Sequence, residues 1–310
     1  MRFIHISDVH LGIVPDKGKA WSSVRAQEIE QTFDKILDTA EERKVDLLLV
    51  AGDLFHNTPT VQELVRLDNR LAELSVTRTV IIAGSSDHIE KDSPVENYEF
   101  RSNTVILPAG EFSNVYFDDI NTCVTGFSYD QTEYTDNFAS GIGPQRENAT
   151  NVLLLYGGDS RHGAFDFKEL AGSGFDYVAL GCLRKPKHMV KNRMAYPGSP
   201  EPVSHTDTGR HGYIYGQIID GETRIKWEPA ALRSYINLGL EVKPEYTDRQ
   251  IETAIRNQID KMGCENIYKV ILKGQKGRGV KPQFDKLPED YKIYEVVDNT
   301  MFDYDTASLV

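Results

Sequence analysis

Only three cysteines occur in the 310 residues, Cys123, Cys182 and Cys264. They are odd in number, far apart and without a C-x-x-C pair, which excludes a disulfide framework and a thiolate zinc knuckle and fits a reducing cytosol. Positive charge is scarce as well: 35 Lys and Arg face 47 Asp and Glu, a formal net charge of −12. A surface that grips nucleic acid everywhere is thereby excluded, since such binding depends on cations neutralising phosphates, although a local groove is not. Long apolar runs are missing too. The opening MRFIHISDVHLG is too short in its apolar part, and carries Asp and His within it, to be a signal peptide or a membrane span. The expectation is a cytoplasmic protein with no membrane partner. No internal repeat or low-complexity segment breaks the chain.

What is present is ordinary for a globular protein, with 40% hydrophobic and 26% charged residues and length for one large domain and a smaller one. In the first half, short β-branched runs alternate with helical patterns, the mark of βαβ units. Phe3 to Ile6 reads as a strand. A helix capped by Ser22 or Ser23 follows, with Ile29, Phe33, Ile36, Leu37 and Ala40 on one stripe. Asp46 to Ala51 is a buried strand. Pro59 starts a second helix with Val61, Leu64, Leu67, Leu71 and Leu74 inward, and Thr79 to Ala83 is the next strand.

Shorter strands come after: Val105 to Leu107, Asn114 to Phe117, Thr122 to Phe127, Val152 to Tyr156 and Tyr177 to Leu180. The polar stretch from Tyr129 to Asn151 reads as containing a flexible loop. His211 to Pro229 is a hairpin about Asp220-Gly221, and it closes a first domain at 1–230. A small α+β module occupies 231–310, with strands Ile236 to Val242, Tyr268 to Leu272 and Ile293 to Val297 and a helix near Asp248 to Met262. Its run KVILKGQKGRGVK carries Lys269, Lys273, Lys276, Arg278 and Lys281. A solvated strand and loop outweighs a phosphate track as its reading.

Chemistry-bearing residues gather just past the first three strands, where open α/β sheets bind ligands. They are Asp8-Val9-His10, Gly52-Asp53 and Gly84-Ser85-Ser86-Asp87-His88. An Asp and a His two apart on one loop, with a carboxylate from the next strand, suit Mn²⁺, Fe or Zn²⁺ rather than Ca²⁺. A lone Asp in such a place is more often a loop cap. The spacing of D-x-H-L-G and G-D-L-F makes a metal site the better reading of the set.

With these residues the chain resembles the calcineurin-like metallophosphoesterases, and among them DNA exonucleases of the SbcD and YhaO type. The resemblance rests on FIHISDVHLG (3–12), RAQE near 25, AGDLF (51–55), FDYVALG (175–181), YPGSPEP (196–202) and GRHG (209–212). It implies an α/β sandwich of two central sheets flanked by helices, with the small C-terminal domain appended. It also implies two metals about 4 Å apart that clamp an in-line attack on a phosphodiester. A homodimer, DNA and a coiled-coil ATPase subunit are the partners it implies.

The same resemblance exposes departures. The family's G-N-H-D, in which Asn is a ligand and His the acid, is replaced at Ser85 and Ser86. Tyr156 stands where a ligand His belongs, and G-H-x-H has become Gly181-Cys182-Leu183-Arg184. One metal keeps Asp8, His10 and Asp53, with Arg184 in place of the fourth ligand; the other keeps Asp53 alone. A two-metal mechanism is not expected, and the cofactor is one divalent metal (Mn, Fe or Zn) or none.

Asp8, Asp53 and Asp87 would be uncompensated in a buried pocket without cations. Arg184, helped by Lys185, is therefore expected to take the metal's place with a guanidinium; the bland reading makes Arg184 a surface residue after a strand. Cys182 is read as a small buried filler rather than a soft-metal ligand. His5 packs beneath the site, His56 and His88 are weak replacement candidates (His88 also for the acid), and His162, His188, His205 and His211 are structural. Three functional readings remain: a degraded nuclease that serves as a DNA- or partner-binding scaffold, a one-metal phosphoesterase, and a regulatory interaction module without nucleic acid.

Overall fold

Strands β1 (Arg2–Ile6), β2 (Leu47–Ala51), β3 (Arg78–Ile82) and β4 (Thr104–Ile106) run parallel, joined by the helices α1 (Ser22–Glu42) and α2 (Val61–Leu71) that the apolar spacing predicts. The computed structural model describes residues 1–281, 287 and 291–302. Ser22 does not cap α1: Trp21 holds the cap position, and the Ser22 hydroxyl donates to the Pro15 carbonyl at 2.6 Å. The second helix begins after Pro59, with Thr60 and Glu63 forming a reciprocal capping box, which satisfies two backbone donors at once. Val61 lies exposed and Leu74 follows the helix, so the inward stripe is Leu64, Leu67 and Leu71.

β5 (Phe112–Phe117), β6 (Thr122–Phe127), β7 (Thr150–Tyr156), β8 (Tyr177–Gly181), β9 (Lys187–Val190) and β10 (Met194–Tyr196) form a second sheet in the order β5-β6-β7-β8-β10-β9. Its central strands β6, β7, β8 and β10 are parallel. Strands β9 and β10 and the short helix α3 (Phe167–Gly172) carry too little periodicity to be read from sequence. The hairpin β11 (Gly212–Ile219) and β12 (Glu222–Pro229) extends the first sheet beside β1. Asp220 and Gly221 both have positive φ, 50° and 76°, the requirement of a type I′ turn.

Side-chain alternation along β1 separates two cores. Phe3 faces β7 and β8 across the space between the sheets, where Leu49, Ala51, Val152, Leu154 and Leu180 are buried. Ile4 and Ile6 face outward onto Ile29, Phe33 and Leu37 of α1 and Leu64 and Leu67 of α2. The Tyr129–Asn151 stretch lacks helix and strand up to Thr150. It is nonetheless packed: Tyr129, Tyr134 and Phe138 cluster with Phe127 and Phe165.

Contacts within the chain divide it into Met1–Val203 with Arg210–Leu232, and Ser204–Gly209 with the remainder from Arg233. In the second unit β13 (Tyr235–Val242), β14 (Ile267–Lys276) and β15 (Lys292–Asp298) are parallel neighbours, and β16 (Met301–Phe302) pairs with β14. Helix α4 (Asp248–Met262) has a Thr247–Gln250 capping box and buries Ile251, Ile255 and Ile259, four residues apart on one face.

Candidate metal centre

The C-terminal ends of β1, β2, β3, β7 and β8 converge because the backbones approach closely at glycines. A Cβ on Gly181 would lie 1.7 Å from the Ala51 carbonyl oxygen, and one on Gly84 would lie 2.4 Å from the Asp53 carboxylate. The loop after β1 is zipped to the loop after β2: Asp8 N–H donates to Gly52 O (3.1 Å), His10 N–H to Asp53 O (3.0 Å) and Leu11 N–H to Leu54 O (2.8 Å). To make these turns Asp8, His10, Asp53 and Cys182 all take positive φ, between 52° and 94°. Such backbone is costly for residues with side chains and persists where surroundings over-determine it, typically at functional sites.

The result is a buried set. Asp8, His10 and Asp53 each offer a donor atom, all within 4.8 Å of one another. Burial, then the Asp53 charge, pushes the Asp8 carboxyl up to about 7, against the pull of Arg184 and a hydrogen bond from Cys182 N–H at 3.0 Å. Burial also raises Asp53, opposed by hydrogen bonds from Ser86 and Tyr156 and by the Arg184 charge. Asp87 is raised to about 7 by burial and by Asp53. It braces the loops, accepting from Gly84 N–H (2.7 Å), Phe55 N–H (3.1 Å) and Asp53 N–H (3.2 Å).

Asp53 is wrapped in hydrogen-bond donors. Its Oδ1 accepts from Ser86 N–H (2.9 Å), and its Oδ2 from the Ser86 hydroxyl (3.0 Å) and the Tyr156 hydroxyl (2.9 Å). Ser85 Oγ lies 3.0 Å from the Tyr156 oxygen. Burial holds the Tyr156 hydroxyl protonated, well above its ordinary pKa. Asp8, His10 and Asp53 together offer donors that could hold one divalent metal ion. On the other side of Asp53 the Ser86 and Tyr156 hydroxyls donate to its Oδ2.

Arg184 points into this site. Its Nη2 is 3.3 Å from His10 Nε2. A guanidinium can only donate, so His10 accepts through Nε2, the nitrogen that also lies 3.7 Å from Asp53 Oδ2. That lone pair is the one a cation beside Asp53 would use. Lys185 is exposed and supplies no such contact. His56 packs edge-on against His10 with ring centroids 5.5 Å apart, and its pKa is lowered by burial and by Arg184. The ring of His88 turns toward the Ser85 carbonyl (3.0 Å) and Glu90 (3.1 Å). His5 is buried with Nδ1 2.9 Å from the Tyr177 hydroxyl.

Cys182 packs against the core between the sheets but is only partly buried. Its Sγ is 3.8 Å from Asp159 Oδ2, and Asp159 in turn contacts His162. Sequence reading missed this neighbourhood, whose signal was the D-x-x-H spacing just past β7. It also missed that RAQE and YPGSPEP meet: buried Arg25 bonds Glu28, Glu201 (2.8 Å) and the Pro202 carbonyl (2.7 Å). His211 of GRHG lies 2.9 Å from the Ser199 hydroxyl. These contacts tie α1 and the segment around residues 199–202 to one another and to the start of the hairpin. In the basic run, Lys269 pairs with Glu295 (2.6 Å) and Lys276 with Asp298 (2.5 Å), whereas Lys273, Arg278 and Lys281 are exposed.

Two mixed sheets face to face, with carboxylates and an imidazole at their strand ends, define a metallophosphoesterase-type α/β sandwich. The chain belongs to the calcineurin-like phosphoesterase family, whose sequence model matches residues 1–186, and its relatives are of the SbcD and YhaO type. It is 27% identical over 231 residues to the DNA double-strand break repair protein Mre11 of Methanopyrus kandleri, covering 66% of this chain and 49% of that one. To the uncharacterized metallophosphoesterase YhaO of Bacillus subtilis it is 26% identical over 260 residues, 75% of this chain and 63% of the relative. To the SbcD component of the nuclease SbcCD of Escherichia coli it is 25% identical over 261 residues, 69% and 64% of the two chains. The chain thus matches about half to two thirds of the length of these relatives. Among the described residues no helix is long and apolar enough to cross a membrane.

Proposed function

We propose that this chain is a nuclease-family homologue whose two-metal phosphodiesterase centre has been replaced by protein contacts, leaving a non-catalytic or weakly active scaffold that binds DNA or a partner. The observation that carries this reading is the Arg184–His10 contact. A guanidinium hydrogen-bonded to Nε2 holds the lone pair a cation needs, and it supplies fixed positive charge to Asp8 and Asp53. The Ser86 and Tyr156 hydroxyls do the corresponding service on the other side of Asp53. Residues 1–230 form the phosphoesterase-like domain in this reading and 231–310 an accessory domain. DNA, a homodimer and a coiled-coil ATPase are the partners that the family resemblance offers; a cytoplasmic location goes with them.

The test is Mn²⁺ bound per chain by equilibrium dialysis, with exonuclease activity on duplex DNA measured alongside. Little bound Mn²⁺, negligible hydrolysis and a gain of Mn²⁺ in Arg184→His are expected; two equivalents with robust hydrolysis would overturn the reading. A second reading, a one-metal phosphoesterase, draws on the convergence of the Asp8, His10 and Asp53 donors. One equivalent of Mn²⁺ with hydrolysis that disappears in Asp53→Asn would select it. Failure to bind DNA at moderate salt, with a protein partner recovered, would select an interaction module.

A further inference from the structure

We propose a metal site distinct from the Asp8–His10–Asp53 set, in which Asp159, His162 and Cys182 ligate a zinc-class ion between the loops that follow β7 and β8. It shares no donor with the Asp8–His10–Asp53 set; Asp159 and His162 lie outside the motifs quoted for the family resemblance, whereas Cys182 stands in one of them, Gly181-Cys182-Leu183-Arg184. Its test reads a thiolate–cobalt bond, which the proposed function does not require.

The fold brings the three side chains together for local reasons. β7 and β8 are parallel neighbours with Tyr156 opposite Gly181, so their exit loops leave side by side. The first loop reverses at once. Gly157 has φ +135°, and a Cβ there would lie 2.1 Å from the His162 carbonyl oxygen; Gly158 N–H donates to that same oxygen at 2.6 Å. This reversal sets the His162 ring edge-on to Tyr156, centroids 6.0 Å apart. Asp159 is fixed by its Oδ1, which accepts from the backbone N–H groups of Arg161 (2.8 Å) and His162 (2.9 Å). Its Oδ2 then faces His162 Nδ1 at 3.0 Å and Cys182 Sγ at 3.8 Å.

The two separations from Asp159 Oδ2 lie within about 0.3 Å of those a tetrahedral ion imposes. With the usual zinc bond lengths, tetrahedral edges are about 3.3 Å for N to O and about 3.5 Å for S to O. The three donor atoms all lie within 4.8 Å of one another. A thiolate, an imidazole and one carboxylate select Zn²⁺, or Co²⁺ as its probe, over Mg²⁺, Ca²⁺ or Mn²⁺. The Asp159 side chain is 53% exposed and that of His162 14%, which leaves the fourth position open to water. A simpler account is a hydrogen-bonded Asp–His loop beside an unrelated thiol, which forms no thiolate–cobalt bond.

The experiment is Co²⁺ titration of the reduced, metal-free full chain, followed by thiolate-to-cobalt charge-transfer absorption in the near ultraviolet and tetrahedral d–d bands in the visible. One equivalent should produce both, and Zn²⁺ should bleach them. Cys182→Ser should abolish the charge-transfer band, and His162→Ala should weaken Co²⁺ binding by at least about tenfold. Cys264→Ser and Asp53→Asn should leave the band in place. Absence of the band in the parent would establish the simpler account. A band that survives Cys182→Ser, or needs Cys264 or Asp53, would also overturn the proposal. Because a folded variant is required in each case, near-ultraviolet circular dichroism accompanies every titration; His162→Ala serves as the decisive variant should Cys182→Ser not fold.

Discussion

Replacing Arg184 with alanine removes the guanidinium from His10 and from a pocket holding Asp8 and Asp53, and its cost can be worked from the geometry. The 3.3 Å contact to His10 Nε2 is a hydrogen bond from a charged donor, a class worth about 1.5–3 kcal/mol. Arg184 is half-buried, so solvent screening trims this to about 1–2 kcal/mol. For a domain of this size each kcal/mol moves Tm by about 2–4 °C. The variant should therefore melt about 2–8 °C lower than the parent in chelator. If Arg184 stands in for a cation, Mn²⁺ should restore the variant more than it raises the parent, since an ion at about a hundred times its Kd adds about 2.7 kcal/mol. Differential scanning fluorimetry with and without Mn²⁺ measures both quantities. A variant that melts with the parent, or equal Mn²⁺ shifts in the two, would refute the reasoning.

Arg25→Met should destabilise the fold by about 3–5 kcal/mol in urea unfolding, because it strands the Glu201 carboxylate in the interior with its cation gone. Gly181→Ala should cost at least about 1–3 kcal/mol by the same assay, since the new methyl collides with the Ala51 carbonyl. For Asp68, burial acts to raise the carboxyl, but hydrogen bonds led by Arg101 and Ser102 outweigh it and bring it down to about 2. A depressed carboxyl stabilises above its unfolded value and loses that contribution as pH falls through the folded one. Asp68 is itself buried but its cationic partner Arg101 is 71% exposed, so solvent screening discounts the pair and Asp68→Asn should cost about 1–2 kcal/mol at about pH 6. That difference should shrink toward zero between about pH 4 and about pH 2; a gap that persists at the acid end would refute the assignment.

The elements that were legible are those whose signal is local. Leu48 and Val50 beside Leu47 and Leu49 announce a strand buried on both faces, and Ile251, Ile255 and Ile259 announce α4 to its ends. Asp220-Gly221 fixes the hairpin because few other residues accept two positive φ angles in succession. Ser22 was misleading since a cap depends on where the chain turns, and here it turns one residue earlier, at Trp21. β9 and β10 are four and three residues long, too short for any period to register.

At the site, the sequence by itself determined which groups could carry charge or bind metal and that Asp8, His10, Asp53 and Asp87 follow buried strands. Those are properties of residue type and of apolar runs a few residues long. Only the tertiary structure decided what each group meets: Arg184 on His10 across 174 residues, Tyr156 on Asp53 across 103, and Cys182 beside Asp159 across 23. Hydrogen bonds and ligand geometries act over about 3 Å, so partners that distant in the chain are chosen by strand order and register, which no local pattern encodes.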